Sequence, residues 1–352
     1  MRLSVLDQSA SLSGRPQDAS IRETLALAQH CENLGYDRFW VSEHHNHPAI
    51  VGSAPEILMA AIAATTQRIR IGSAGIMLPH YSALKVAEQF RVLEALAPGR
   101  IDMGLGRAPG SDRLTAYALN PRADSAADHF PAQVRDLMAW VADQPLPDAH
   151  PFRQIRAFPT GPFAPQAWIL GSSDYGAQVA AHFGLPYCFA YFFTDGQGVE
   201  SAMRLYRENY RPSALWPTPH AAICVWALAA DTTEEAQRHF SSRALWRLLR
   251  DRNELGALPS VEEALAYPYS AADEARLAHM REIALIGRPS EVGSRMRALA
   301  AKLDVQELVV VTWAHDPAAR RRSYELLAQE FALGGATPNL SAQGDSPSRI
   351  AG

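Results

Sequence analysis

A single (β/α)8 barrel with a long insertion between strand seven and strand eight is the fold class the sequence predicts. Three observations carry this reading. Short apolar runs alternate with longer helical patterns along nearly the whole chain. The runs number eight, and an amphipathic or alanine-rich segment follows each of them. At 352 residues the chain matches one large barrel as well as two average domains. A doubly wound open sheet is the structural alternative, but it rarely needs eight regular units.

In chain order the expected strands occupy residues 3–8, 38–42, 69–74, 101–105, 167–170, 187–192, 221–229 and 307–312. The intervening helices are expected at 21–34, 56–66, 84–96, 126–142, 175–183, 198–210, 233–249 and 317–331. Four stretches exceed a minimal barrel. Residues 106–125 form a long connection after strand four, rich in Gly, Pro, Asp and Arg, and the Pro-rich 145–166 is expected to wrap the surface. Residues 250–285 interrupt the seventh unit, and a long loop on a barrel is commonly an active-site lid. The Gly/Ser/Pro-rich 334–352 is expected to be a disordered tail, leaving one barrel domain over 1–333.

Composition narrows the function classes. A formal charge of −4 and a pI near 6.3 argue against a nucleic-acid footprint, which needs a concentrated basic face. Lys85 and Lys302 are the sole lysines, so lysine chemistry is removed from the menu. Cys31, Cys188 and Cys224 are odd in number and widely spaced with no Cys-x-x-Cys, which argues against a disulfide framework or zinc ribbon and points to a reducing compartment. No signal peptide and no apolar run near ~18 residues is visible, so a cytoplasmic protein without a membrane anchor is expected.

Chemistry concentrates at the strand ends. The run Arg38-Phe39-Trp40-Val41-Ser42-Glu43-His44-His45-Asn46-His47 is a β-rich segment that ends abruptly in a carboxylate and three imidazoles. Barrels build active sites at the C-terminal tips of their strands, and histidine titrates near neutrality. On its own the cluster serves acid/base or metal chemistry equally. Further ends supply Asp7-Gln8-Ser9, Ala74-Gly75-Ile76, Gly104-Leu105-Gly106-Arg107, Gly171-Ser172-Ser173, Tyr191-Phe192-Phe193 and Thr312-Trp313. Small tips leave room for a flat ligand, and aromatic ones can wall it.

After strand five, Leu170-Gly171-Ser172-Ser173-Asp174-Tyr175-Gly176-Ala177 opens a helix. Ser173 and Asp174 suit a plain helix cap, but the same free N–H groups bind phosphate. Arg107 at the end of the neighbouring strand adds a bidentate donor, and the pair makes a receptor for a phosphate dianion. The glycines Gly104, Gly106 and Gly110 depart from the spacing of a dinucleotide fingerprint and stand in the fourth unit, so a Rossmann reading is rejected. A hydrolytic metal site would need further histidines on later strands. Strands five to eight offer none, with His80, His182 and His220 expected on loops or helix surfaces.

Long ordered motifs of this chain resemble the bacterial-luciferase-like flavin-dependent monooxygenases. They are Leu3-Ser-Val-Leu-Asp-Gln-Ser9, Gly35-Tyr-Asp-Arg-Phe-Trp-Val-Ser-Glu-His-His45, Ile71-Gly-Ser-Ala-Gly-Ile-Met-Leu-Pro79 and Glu88 through Arg107, followed by Leu170-Gly-Ser-Ser173, Phe183-Gly-Leu-Pro186 and Glu307-Leu-Val-Val-Val-Thr312. The resemblance spans about residues 1–332 and is strongest to the single-gene members rather than the light-emitting subunits. It implies a (β/α)8 barrel that uses reduced FMN, supplied by a separate reductase, with O2 to oxidise a small organic substrate, an aldehyde or ketone as first expectation. F420-dependent hydride transfer is the alternative within the superfamily, and a non-catalytic flavin-binding protein the alternative outside enzymology.

Carried over by residue, the resemblance implies that His44 is the catalytic imidazole, with Glu43 beneath it. Ala74-Gly75 is expected as a non-proline cis peptide against the flavin ring. Arg107, Ser172, Ser173 and the amide of Gly176 are expected to hold the FMN phosphate, and Tyr191 to stand near the ring. Two departures make light emission doubtful: Ser172 replaces a carboxylate and Gly106 a reactive cysteine. Residues 250–285 match nothing in the luciferases, so the resemblance names no substrate. The segment 56–66 is apolar almost all round, and with the resemblance it predicts a homodimer through the second and third helices.

Overall fold

The computed structural model describes residues 1–108 and 112–334, so Gly110 and all of the expected tail but Gly334 lie outside the described residues. The chain begins β1 (Arg2–Asp7), α1 (Gln17–Leu34), β2 (Arg38–Val41), α2 (Pro55–Thr65), β3 (Arg70–Ser73), β4 (Ile76–Met77) and α3 (Ala83–Leu96). It continues with β5 (Ile101–Gly106), α4 (Arg113–Leu119), α5 (Ala123–Asp128), α6 (Phe130–Val141), β6 (Gln166–Gly171), α7 (Asp174–Phe183), β7 (Tyr187–Phe189), α8 (Tyr191–Thr194) and α9 (Val199–Glu208). The last third holds β8 (Ala221–Ala229), α10 (Thr233–Asp251), α11 (Val261–Ala266), α12 (Ala271–Ile283), β9 (Leu285–Gly287), α13 (Pro289–Leu303), β10 (Glu307–Val311) and α14 (Pro317–Glu330).

Eight of these strands close a parallel barrel in the order β10-β1-β2-β3-β5-β6-β7-β8, with β8 pairing back to β10. Successive strand residues face opposite sides, and two core clusters follow from that. Val5, Phe39 and Ile71 face outward onto Leu27, Met59 and Phe90 of the helices. Leu6, Trp40, Trp168, Cys224 and Val309 fill the inside. Burying each such large side chain is worth about 1.5–3 kcal/mol. All three cysteines are buried and free, and no helix among the described residues is long and apolar enough to cross a membrane.

At the N-terminal floor of the barrel the filling is ionic. Arg38 is 2% exposed and donates to both carboxylate oxygens of Asp102 (3.0 and 2.9 Å) and to Glu307 (2.8 Å). Ser4 (2.7 Å) and His220 (3.1 Å) also reach Glu307, while Trp40 Nε1 (3.0 Å) and Arg70 Nε (3.0 Å) donate to Asp102. The Arg38 guanidinium lies 5.0 Å from the centre of the Trp168 ring. Burial alone would raise the Glu307 carboxyl, but Arg38, His220, Arg2 and Ser4 outweigh it and hold it down at about 2.

Three expectations need correction. The helix at 233–249 forms as α10 but does not join the outer ring. Its Phe240, Ala244 and Trp246 belong to the interior cluster and cap the mouth of the barrel. The outer position of the seventh unit is taken by α13, which the sequence reading left without an element; its Val292, Met296, Ala300 and Leu303 pack in the outward core beside α14. The stretch 250–285 is ordered structure rather than a loop. Ser260 with Glu263 and Ser270 with Asp273 form reciprocal capping boxes that start α11 and α12, and β9 then pairs with the upper half of β8.

Smaller differences have local causes. The strand expected at 187–192 stops at Phe189, where Ala190 N bonds Gly171 O (2.8 Å) and the chain turns into α8. The helix at 126–142 starts at Phe130, because Pro131 in its first turn cannot continue a preceding helix. The long connection after β5 contains α4 and α5. The surface wrap at 145–166 is observed, and buried Arg91 holds it by donating to the carbonyls of Pro159 (2.7 Å), Phe163 (2.7 Å) and Val141 (3.0 Å).

Removing Arg38 takes the shared central cation from Asp102 and Glu307 and leaves them to Arg70, Arg2 and His220 at the edge of the network, so Arg38→Ala is expected to lower unfolding free energy by about 3–5 kcal/mol in urea titrations; a loss under about 1 kcal/mol contradicts the network's role. Because the folded pKa of Glu307 is depressed, its contribution is complete above the unfolded value near 4.3 and disappears as pH falls toward about 2. Acid titrations of stability should therefore be shallower in Glu307→Gln than in the parent over that window.

Candidate active site

The site is built where β2 ends. Beyond Val41, Ser42 N still bonds Asp7 O (3.1 Å), and His44 N then bonds Gly52 O (3.1 Å), so the chain folds back on itself over residues 42–52. Asn46 takes the left-handed conformation (φ 50°), one that asparagine tolerates, and buried Ala49 and Ile50 pin the loop to Ser11 and Ala10.

Glu43 is fully buried and its carboxylate is satisfied from three sides. One oxygen accepts from Met77 N (3.0 Å), and the other meets the Tyr81 hydroxyl (2.6 Å) and His45 Nε2 (2.7 Å). Burial foremost, then Glu43, pushes the Tyr81 phenol upward, which keeps it a donor. Glu43 thus ties the end of β2 to the segment after β3. There the Ala74–Gly75 peptide is cis. The backbones meet so closely that a Cβ on Gly104 would lie 2.0 Å from Ser73 O, and one on Gly75 would lie 2.8 Å from Gly104 O. Ser73 Oγ stitches this approach by donating to Gly104 O (2.9 Å) and accepting from Gly104 N (3.1 Å).

His44 faces a cavity of about 330 Å3 at the C-terminal mouth of the barrel. Its walls are largely apolar: Leu6, Trp40, Ile50, Ala74, Leu170, Phe192, Phe193, Trp226, Trp246 and Trp313, with Gln8, His47, Arg243 and Arg250 as polar members. His44 Nδ1 is buried and has no hydrogen-bond partner among the described residues. Burial first, then His47 and His45, lower its pKa to about 4. The imidazole is therefore neutral at pH 7, and the residue lines an apolar cavity while its Nδ1 is closed off from it. His47, 5.9 Å away ring to ring, is lowered by burial as well; its Nδ1 accepts from Ala49 N (3.2 Å). Among the described residues no group of three or more His, Cys, Asp or Glu side chains could hold a metal ion.

A second polar corner lies where β5 and β6 end. Arg107 is exposed, and its guanidinium sits 3.9 Å above the ring of Tyr175 in the first turn of α7. Ser173 stands at the N-cap position of α7 with extended backbone, yet its side chain makes no capping bond. The helix start thus keeps its N–H groups for another partner, with Ser172 and Ser173 before it and buried Gly176 inside it. A Cβ at Gly176 would come within 3.3 Å of the Tyr187 ring, so glycine sets the closeness of helix and strand.

Tyr191 is not among the residues that line the His44 cavity. It opens α8 with its ring packed on Gly196, where a Cβ would lie 2.4 Å from the ring, in a groove shared with Lys302 on the outer side. The next two residues, Phe192 and Phe193, reach the cavity instead. Sequence reasoning also missed Arg243, Trp246 and Arg250, because α10 was assigned to the outer ring. Phe192 and Trp313 belong to the aromatic strand ends expected to wall a ligand, and both line the cavity.

The comparisons with known proteins bear on the fold and the family. The model of the family described as luciferase-like monooxygenase matches residues 1–307. A Bacillus subtilis protein, YwcH, is 43% identical over 94% of this chain and 99% of its own. The N-acetyl-S-alkylcysteine monooxygenase of the same organism is 36% identical over 93% of this chain and 97% of its own. The crystal structure of apo-MsnO8 superposes with a TM-score of 0.85 at 35% identity, covering 94% of this chain and 98% of that one. The FMN complex of the oxygenating constituent of 3,6-diketocamphane monooxygenase from Pseudomonas putida (TM-score 0.69, 19% identity, 96% and 99% covered) shares the fold. So does an F420-dependent secondary alcohol dehydrogenase (TM-score 0.62, 15% identity, 94% and 98% covered). The closed eight-stranded parallel barrel and the family match over residues 1–307 define the class: this chain belongs to the luciferase-like monooxygenase family.

The depressed pKa of His44 is open to direct measurement. In NMR titrations of imidazole-labelled protein, His44 should stay neutral from pH 8 down to about 5, with a midpoint near 4; a midpoint at 6 or above contradicts the burial argument.

Proposed function

We propose that this chain is a flavin-dependent monooxygenase that takes reduced FMN from a separate reductase and oxidises a small organic substrate, an aldehyde or ketone in the first instance, with O2. The observation that carries the reading is His44: a neutral, unpartnered imidazole nitrogen buried at the wall of an apolar cavity. The residues present fit FMN. The uncapped start of α7 and Arg107 offer N–H donors and positive charge to a phosphate. The close backbone approach at Gly75 and Gly104 sets the position of Ala74, which lines the cavity.

When bound, reduced FMN supplies the chemistry with O2 that places one oxygen atom in the substrate and releases the other as water. The protein supplies the setting. Arg107, Ser172, Ser173 and Gly176 N would bind the phosphate, and Ala74-Gly75 would support the ring. His44 would accept a proton from the reacting partners at its imidazole and return it, which general acid/base catalysis by a positioned imidazole allows. Glu43 is a positioning residue: it holds Met77 N, Tyr81 and His45 and so fixes the loop on which His44 rides. Tryptophan and phenylalanine walls keep water from the reaction.

Arg107→Ala is expected to weaken FMN far more than riboflavin in fluorescence titrations, and equal losses for both contradict phosphate binding there. His44→Ala should keep FMN affinity yet lose substrate-dependent turnover; full activity in that variant removes the proton-handling role. The absorption spectrum of the flavin retained by the purified protein separates FMN from F420.

The expectation of a homodimer becomes a proposal on narrower ground. One face of α2 is buried in the outward core, and Ile57 stands 67% exposed on the other, with Val92 and Leu96 exposed on neighbouring α3. These side chains would meet their copies across a two-fold axis. Light scattering should give twice the chain mass, reduced to the monomer by Ile57→Glu; a monomeric parent refutes it.

A further inference from the structure

Three arginines project from one side of α10 at positions 243, 247 and 250, and two of them are neutralised. Arg247 grips Asp195 with two hydrogen bonds, Nη1 to Oδ1 (2.9 Å) and Nη2 to Oδ2 (2.5 Å). Arg250 holds Asp251 through Nε (3.2 Å) and Nη2 (2.8 Å), and Arg276 pairs with the same carboxylate. Arg243 differs. It is 7% exposed, lines the cavity that His44 faces, and lies 4.3 Å above the Trp226 ring. Among the described residues it donates to no hydrogen-bond acceptor and pairs with no carboxylate; Asp195, the acidic group that bears on it, is already engaged by Arg247.

A guanidinium carries five N–H donors in a planar fork. Cation–π contact with Trp226 supports the Arg243 cation but answers none of its donors, which no acceptor among the described residues meets at the cavity wall. Burial foremost, then Arg247, hold the Arg243 pKa well below its ordinary value, Asp195 acts the other way, and Arg250 adds to the depression. The cavity thus contains an excess positive charge in apolar surroundings, and an entering anion would relieve it.

We propose that Arg243 anchors a carboxylate of the substrate, so that the enzyme acts on small molecules combining an apolar body with a carboxylate at the end remote from His44. This rests on the reading of the cavity as substrate space beside a flavin. A planar fork matches a carboxylate bidentately, whereas a phosphate dianion would draw further cations, and Arg247 and Arg250 are occupied. The flavin phosphate has its own corner at Arg107 and α7, by the ends of β5 and β6, while Arg243 stands over β8. The apolar body lies against Phe192, Trp246 and Trp313. Arg243 is then a specificity-determining residue.

The test pairs acids with their uncharged amides: 4-phenylbutyrate with 4-phenylbutyramide, and hexanoate with hexanamide, titrated calorimetrically into FMN-loaded and flavin-free protein. Both acids are expected to bind at least tenfold more tightly than their amides. Arg243→Met should erase that preference while leaving amide and FMN affinities unchanged. Arg107→Ala should weaken FMN and keep the preference, so loss of the flavin reading and loss of this one are separable. Equal affinities of acid and amide in the parent protein, no saturable binding of either acid, or a preference that survives Arg243→Met overturns the proposal. So does a fall in FMN affinity in place of the lost preference. The acid–amide comparison in the parent protein stands even where the variant fails to fold.

Discussion

The buried guanidinium of Arg38 is the constraint from which the barrel and its active face follow. It is held by Asp102 of β5 and Glu307 of β10, strands on opposite sides of β2 in the sheet order. Ser4, Trp40, Arg70 and His220 complete the network, so most of the barrel's circumference converges on one floor. An apolar plug of equal volume could supply comparable stability. It would not impose register. A one-residue slip of β5 or β10 turns Asp102 or Glu307 to the outer face and strands a buried cation.

What the floor sets, β2 transmits upward. Trp40, two residues above Arg38, donates to the same Asp102 and crowds the position of Gly72 so tightly that a Cβ there would lie 2.6 Å from its ring. That crowding demands a small residue on β3, and two residues further the chain reaches Ala74 and Gly75. Glu43 arrives at the top of β2 in the register needed to meet Met77 N and Tyr81. Floor and mouth are thus parts of one aligned stack, and His44 is positioned by interactions that begin at the opposite end of the barrel.

Periodicity made the eight barrel strands legible, because buried parallel strands are short apolar runs between turn residues. The tips of those strands were equally readable, and His44, Glu43, Ala74, Gly75, Arg107 and Ser173 fall at the mouth as a result. Tertiary choice was not readable. Helices α10 and α13 have comparable local patterns, and nothing in residues 233–249 reveals that their apolar side meets the barrel's mouth rather than its flank. The capping boxes at Ser260 and Ser270 were visible signals of α11 and α12. The difference between Tyr191 and Phe192 was lost because β7 ends three residues early in a helical turn, which rotates each successive side chain by ~100° instead of alternating it.

Strand β8 is nine residues long, and only its lower part is needed to close the cylinder. Residues Ala222–Trp226 pair with β10, whereas Ala227–Ala229 rise above the rim and pair with β9. The excursion through α10, α11 and α12 therefore leaves from and returns to the same strand. It behaves as a detachable roof hinged on one beam. Evolution can lengthen, shorten or redecorate that roof without disturbing the register of any barrel strand. One scaffold could in this way be refitted to many substrates.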